Sequence, residues 1–441
     1  MTEIEKQHAS DLENVQKQVR FFYSRKRKVK IYHGSTNSTR SLRYEHSKVV
    51  DVSKFNRIIS INADEKYILV EPNVPMDKLV EETLKHRLVP PVVMEFPGIT
   101  VGGGIQGGAG ESSSFKYGLF HGTACSYGSL GIITLVKLRL IPAKDFVRLQ
   151  YHAVKNFDEA INLTEKKVGE TVQFVDGIIF EKNRGVVMVG NFTDKSDLPV
   201  STFSKARDEW FYLHADKISK RHEKYEEIIP VKDYLFRYDR GGFWMGKYGF
   251  SFFKVPFNRF TRFIFNSFCT TRALYRSLHS ANFSQRYLIQ DFSLPKEGVL
   301  NFLEYIEKNL HTYPLWVCPL KPANQAKLSP NCLKTNLVIN VGVWGEVRKD
   351  FSHFVELNRD LEKFVDNLGG RKVLYAHAYY SRDEFWKIYD FEWYNALRDK
   401  YYANITFPDI YEKTFVSREY KPTIFGGLYS LIKSPFKIPN S

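Results

Sequence analysis

The sequence predicts an α+β protein in two unequal parts, and three observations carry that expectation. The chain has 441 residues, more than one simple domain uses. Its hydrophobic content of 43% and aromatic content of 15% can build sizeable cores, which excludes global disorder. The texture also changes near residue 143. Short strands and glycine turns precede it; dense aromatics, longer strands and striped helices follow.

Residues 1–28 read as a basic helical arm: a polar helix over 1–23, then the charge cluster "SRKRKVK" (Ser24 to Lys30) flanking a strand. Residues 29–142 form the small domain. Strand signals lie at Val29 to Tyr32, Ile58 to Ile61 and Tyr67 to Glu71. "NVPMDKLVEETLKHRLVPP" (Asn73 to Pro91) is a compact helix with Leu79, Val80, Thr83 and Leu84 on one face, closed by paired prolines. The stretch Gly131 to Lys144 alternates as a strand that Pro142 ends. Residues 143–420 form the larger domain, with strands in "VQFVDGIIF" and "GVVMVGNF". Leu294 to Leu310 is helical. So is the segment after Asp350, an N-cap by type, with Gly369 as its C-terminal stop. Ser381 to Lys400 reads as a third helix, and 421–441 as a tail.

The formal charge of +15 asks for an anionic partner: a phosphate-bearing cofactor, an acidic membrane surface or nucleic acid. No zinc finger, helix-turn-helix or RNP-type pattern appears, so nucleic acid is not expected. The four cysteines form no CxxC pair, which predicts reduced thiols, a cytosolic setting and no metal site. No apolar run reaches the length of a membrane span, and the N-terminus is too charged for a signal peptide.

"PGITVGGGIQGGAGESSS" (Pro97 to Ser114) is the most informative stretch. Seven glycines fall within Gly98 to Gly110. Glycine is costly to order, so its density needs a reason. A linker would be Ser- and Gly-rich throughout, whereas this run is entered through β-branched residues. The spacing is neither GxGxxG opening a helix nor a Walker loop. The reading that remains is backbone laid bare for a flat ring or a pyrophosphate. "HGSTNSTR" is the second anion-friendly loop: His33, Gly34, Ser35, Thr36, Asn37, Ser38 and Thr39 offer donors, and Arg40 offers charge.

Together with "VEPNVPMDKLVEETL", "VGGGIQGGAGESSSFKYGLFH", "YGSLGIITLVKLRLIPAK", "YPLWVCPL" and "LYAHAYYSRDEFWKIYD", these stretches resemble the delta-24 sterol reductase family from about Arg27 to Phe415. That family is FAD-linked, with the PCMH-type fold of the vanillyl-alcohol oxidases. The resemblance implies a PCMH-type FAD-binding domain of two α/β subdomains followed by an α+β substrate, or cap, domain. It implies FAD as cofactor, NADPH as reductant and a sterol as substrate. FAD would contact residues 33–40, Thr100, Val101, Gly102, Gly103, Gly104, Gly107, Gly108, Gly110, Ser112, Ser113, Gly131 and Ile132. Two departures stand out. The chain shows none of the family's N-terminal hydrophobic anchor. Its location would be cytoplasmic or the cytosolic face of the endoplasmic reticulum membrane, with membrane contact peripheral and "FFKVPFNRFTRFIFNSF" (Phe252 to Phe268) the candidate for it. A strand pair that the family carries between "YGLFH" and "YGSLG" is also missing at residues 122–126, which shortens the FAD domain.

Reducing an isolated double bond needs a hydride and a proton. Candidate acids beside the glycine segment are Glu111, Lys116, Tyr117 and His121. The second domain adds Tyr375, His377, Tyr379, Tyr380 and Glu384. Covalent flavin attachment would fall to His33, with noncovalent binding preferred. The alternatives are an FAD-linked alcohol or lactone oxidase and a non-catalytic sterol-binding homologue with an impaired FAD site. Oligomeric state cannot be read from the sequence.

Overall fold

The computed structural model describes residues 1–34, 38–40, 45–117, 124–195, 197–347 and 350–421. The first part begins with helix α1 (Glu3–Ser24), opened by a Thr2/Glu5 capping box. Strands β1 (Lys30–Tyr32) and β2 (Val49–Asp51) pair in parallel. Strands β3 (Ile58–Asn62) and β4 (Tyr67–Val70) form an antiparallel sheet completed by β6 (Val136–Arg139). Helix α2 (Met76–Leu84) buries Met76, Leu79, Val80 and Thr83. Strand β5 (Leu88–Val89) pairs with β7 (Ile141–Pro142), and helix α3 (Val101–Gly107) lies between them in sequence.

The second part is built on one antiparallel eight-stranded sheet. Its strands are β8 (Phe146–Val154), β9 (Phe174–Glu181), β10 (Arg184–Thr193), β11 (Lys224–Pro230), β12 (Tyr287–Pro295), β13 (Leu315–Leu320), β14 (Val338–Glu346) and β15 (Arg371–Lys372). Their spatial order is β11-β8-β10-β9-β13-β14-β12-β15. Successive side chains of a strand point to opposite faces. On β12, β13 and β14, Leu288, Phe292, Leu294, Leu315, Val317, Ile339, Val341 and Val343 share one core. The helices α4 (Phe157–Val168), α10 (Lys296–Asn309) and α11 (Phe351–Asn367) cover that face. The intervening positions face the first part and the helices α5 (Phe211–Arg221), α6 (Val231–Leu235) and α7 (Gly246–Phe252); α8 (Arg259–Ile264) and α9 (Thr271–Ser280) follow outside that core.

The C-terminal helices return to the first part. They are α12 (Arg382–Ile388), α13 (Phe391–Lys400), α14 (Ala403–Thr406) and α15 (Ile410–Thr414). Ala403 and Phe407 complete a core with Val15 and Phe22 of α1 and with Val29, Val50 and Val52. The Val29 amide donates to the Thr406 carbonyl at 2.9 Å, and Lys28 pairs with Glu412 at 2.8 Å. Residues 1–28 are therefore a docked helix and its connection rather than an arm. The larger part also does not end apart from the smaller one.

Two local expectations are corrected. The predicted third helix divides into α12 and α13, because Asp390 leaves the helix and accepts from the Trp393 amide at 2.9 Å, capping a new one. The glycine segment is a short helix rather than a row of turns. Thr100 caps it by accepting from the Gly103 amide, and Gly108 ends it at φ 67°.

Candidate active site

A cavity of about 820 Å³ opens between the two parts. One arm is lined by the glycine segment, by Gly128, Gly131 and Ile132, and by His33, Ser38 and Arg40. The other is lined by Phe243, Phe252, Phe253, Leu274, Tyr275, Leu278 and Phe283. The inward positions of the large sheet form the floor between the arms: Ile289, Asp291 and Ser293, then Trp316 and Leu320, then Asn340 and Trp344. The strand alternation that buries the opposite face under α10 and α11 sets these residues toward the cavity.

The glycines divide into two groups. A Cβ on Gly102 would stand 2.6 Å from the Pro72 side chain, on Gly104 2.1 Å from Met94, on Gly108 2.3 Å from Cys125 Sγ, and on Gly110 2.9 Å from Leu320. These four are bare so that α3 can lie close against its neighbours. Gly107 and Gly131 face open space, and Gly103 meets nothing but the Thr100 hydroxyl, 3.0 Å away. These three present uncovered backbone to the cavity. Gly104 and Val101 do not line it, and Val101 belongs to the core.

The polar end of this arm concentrates positive charge. Lys30, His33, Arg40 and Lys413 all line it. Burial, then Arg40, Arg398 and Lys30, push the Lys413 ammonium down to about 8. Burial and Lys413 likewise lower His33. Cations packed this closely are stabilised by an anion among them. Arg40 differs from its predicted role. Its Nη1 donates to the carbonyls of Leu374 and Ala376, the latter at 2.7 Å. Ser38 Oγ and the Thr39 amide bind the Tyr375 carbonyl at 2.8 and 3.1 Å. Residues 38–40 are thus stapled to the second part, and Arg40 is a strut as well as a charge. Thr39 is fully buried away from the cavity, Gly34 is exposed, and Ser35, Thr36 and Asn37 lie outside the described residues.

Buried acids surround the junction of the arms. Glu95 lines the cavity, and its Oε2 is buried without a hydrogen-bond partner. Burial, then the charge of Glu111, raise the Glu95 carboxyl well above its ordinary range, which favours its protonated form. Glu111 lies behind it, 3.5 Å from Arg237 Nη2, which reaches Asp176 at 2.8 Å. Tyr238 and Trp316 also donate to Asp176 Oδ2, at 2.7 and 3.1 Å. Removing one partner of a buried pair like this costs about 3–5 kcal/mol. On the floor, Asp291 accepts from Tyr375 Oη at 2.5 Å and from Asn340 Nδ2 at 2.8 Å. Burial raises Asp291 to about 6.

Of the acids the sequence suggested, Glu111 backs Glu95 without lining the cavity, Lys116 is exposed, and Tyr117 lines a separate small pocket that also holds Ser112 and Ser113. Those two serines do not reach the main cavity, and His121 lies outside the described residues. Tyr375 lines the floor. His377, Tyr379 and Tyr380 are buried behind it, and Glu384 caps α12 while pairing with Arg359 at 3.0 Å. Sequence reasoning missed Glu95, Asp291, Asn340 and Lys413. A signal existed for the first two: each is a single acid inside an apolar run, "PVVMEFPG" and "YLIQDFSLP".

These residues fit an FAD. A cationic end suits a diphosphate, uncovered glycine backbone suits a flat ring, and the cavity continues past both toward an apolar arm. The profile of an FAD binding domain matches residues 8–129. The human delta(24)-sterol reductase is 27% identical over 449 residues, covering 92% of this chain and 86% of that protein. The Caenorhabditis elegans delta(24)-sterol reductase homolog is 26% identical, covering 92% and 87%. The Arabidopsis thaliana delta(24)-sterol reductase is 26% identical, covering 84% and 77%. Fold, cavity and matched domain define an FAD-dependent oxidoreductase. Within that class, the chain is similar to the delta(24)-sterol reductases along nearly its whole length.

Proposed function

We propose that this enzyme reduces the delta-24 double bond of a sterol side chain, with NADPH as the source of reducing equivalents. The observation that carries the reading is the continuity of the cavity: a glycine- and cation-lined arm for the cofactor runs into an aromatic arm for an apolar substrate, with the buried carboxyl of Glu95 where they meet. FAD, when bound, supplies the hydride chemistry. The chain's own task is to place the alkene and deliver one proton. Phe252, Leu274, Leu278 and Phe283 exclude water around an apolar ligand. Glu95 gives its proton to the alkene carbon that does not receive hydride, and Glu111 and Arg237 stand behind it. Asp291 and Asn340 fix the Tyr375 hydroxyl, which positions the substrate on the floor. The same reading places the enzyme in the cytoplasm or on the cytosolic face of the endoplasmic reticulum membrane.

The test is anaerobic incubation of FAD-loaded protein with NADPH and a delta-24 sterol, read by mass spectrometry for the gain of two hydrogens. A protein that stays colourless with added FAD would support the non-catalytic reading. Peroxide formation from an alcohol would support the oxidase. Glu95→Gln should keep the flavin and lower turnover by about 10²–10⁴-fold, the usual worth of a positioned acid. Undiminished turnover in this variant would move the proton to Asp291 or Tyr375.

A further inference from the structure

The stretch from Arg240 to Gln290 contains eight Lys and Arg residues and no Asp or Glu, although the whole chain carries 49 acids. The same stretch supplies the apolar arm of the cavity, from Gly242 through Met245, Gly249 and Phe252 to Ile289. It also shows its aromatics to solvent. Phe253 is 47% exposed, Phe260 70%, Phe263 54% and Ile264 51%, and α8 has no buried residue. Large apolar side chains grouped like this mark an interaction surface. Lys247, Lys254 and Arg259 are exposed among them. Arg262 is held underneath, 3.9 Å from Glu209 and 4.9 Å from the centre of the Phe257 ring. Phe253 belongs to both features: it lines the cavity and stands at the surface. The exposed patch and the cavity mouth are therefore one continuous apolar surface ringed by cations.

We infer that α7, α8 and the turn between them dock on an anionic lipid surface and set the mouth of the cavity against it. Phe260, Phe263 and Ile264 enter the acyl boundary while Lys247, Lys254 and Arg259 meet the headgroups. An apolar ligand then moves from the bilayer past Phe253 into the cavity without crossing water. Charge complementarity selects lipid over a second copy of this chain, because an isologous contact would bring together two faces on which Lys247, Lys254 and Arg259 are exposed.

The test is co-sedimentation of the full-length, FAD-loaded protein with phosphatidylcholine vesicles, with and without phosphatidylserine. Binding to the anionic vesicles is expected, with little to the neutral ones. The double variant Phe260→Ser/Phe263→Ser should lose that binding while retaining flavin and melting temperature, since neither side chain is buried. Arg259→Glu should weaken binding to anionic vesicles by at least roughly fivefold, the worth of one basic residue near such a surface. Parent protein that ignores anionic vesicles, or a double variant that sediments like the parent, would overturn the inference. So would a parent dimer that the double variant converts to monomer with vesicle binding unchanged, which would assign the face to self-association. Vesicle binding is read without turnover, so its failure leaves the reductase reading standing, and the reverse also holds.

Discussion

Gly107 and Gly108 are neighbours in sequence, yet the structure assigns them opposite consequences. A Cβ on Gly107 meets nothing within 4 Å, and the residue is helical. In Gly107→Val the folded state therefore loses no packing, and stability should hold or rise by roughly 0.5 kcal/mol as the unfolded chain loses freedom. The valine would stand in the space assigned to the flavin, so bound cofactor should vanish. Gly108 sits at φ 67°, and its Cβ would lie 2.3 Å from Cys125 Sγ and 3.6 Å from Pro330 Cδ. In Gly108→Ala the left-handed backbone costs about 1–2 kcal/mol and the forced shift of a buried thiol about 1–3, together roughly 2–5 kcal/mol. Thermal melting and the flavin absorbance of dialysed protein measure both effects. The expected pair is a colourless variant with parental melting temperature and a variant that melts several degrees lower. Gly107→Val retaining one flavin per chain would refute the assigned ring position. Gly108→Ala melting with the parent would refute the packing argument.

Lys413 titrates from about 8 in the free protein. A bound diphosphate favours the ammonium, so FAD affinity should be greatest below that value and fall as pH rises through it. Lys413→Met should bind FAD more weakly and lose this pH dependence, as read by flavin fluorescence titration. Arg40→Ala strands the carbonyls of Leu374 and Ala376 and should cost about 1–3 kcal/mol of stability even without cofactor. A parental denaturation midpoint in that variant would leave Arg40 with a phosphate role alone.

The patterns that bury side chains were legible in the sequence. The stripe of α11, with Asp350 accepting from the His353 amide and Gly369 at φ 70°, follows from helix periodicity and cap chemistry alone. The glycine segment likewise pointed to a dinucleotide, a cofactor class that the matched FAD binding domain supports. What escaped was set by neighbours distant in sequence. Propensity argues against a helix at "VGGGIQG", since each interior glycine costs about 1 kcal/mol relative to alanine. The helix is held by Thr100 and by close approach to Pro72 and Met94. The Glu95 carboxyl is pushed upward by burial beside Glu111, which no local pattern reports. Lys413 looks like an ordinary surface lysine at the end of α15 until that helix is folded back against Arg40 and Arg398.

That folding back has a consequence for how the molecule comes into being. The cofactor-binding part is encoded first, yet its core needs Ala403 and Phe407, and its cationic end needs Lys413. A ribosome must therefore finish almost the whole message before this pocket can close. Cofactor capture should then belong to the nearly finished polypeptide, and termination ahead of Ala403 would remove both that core and Lys413 from the first part.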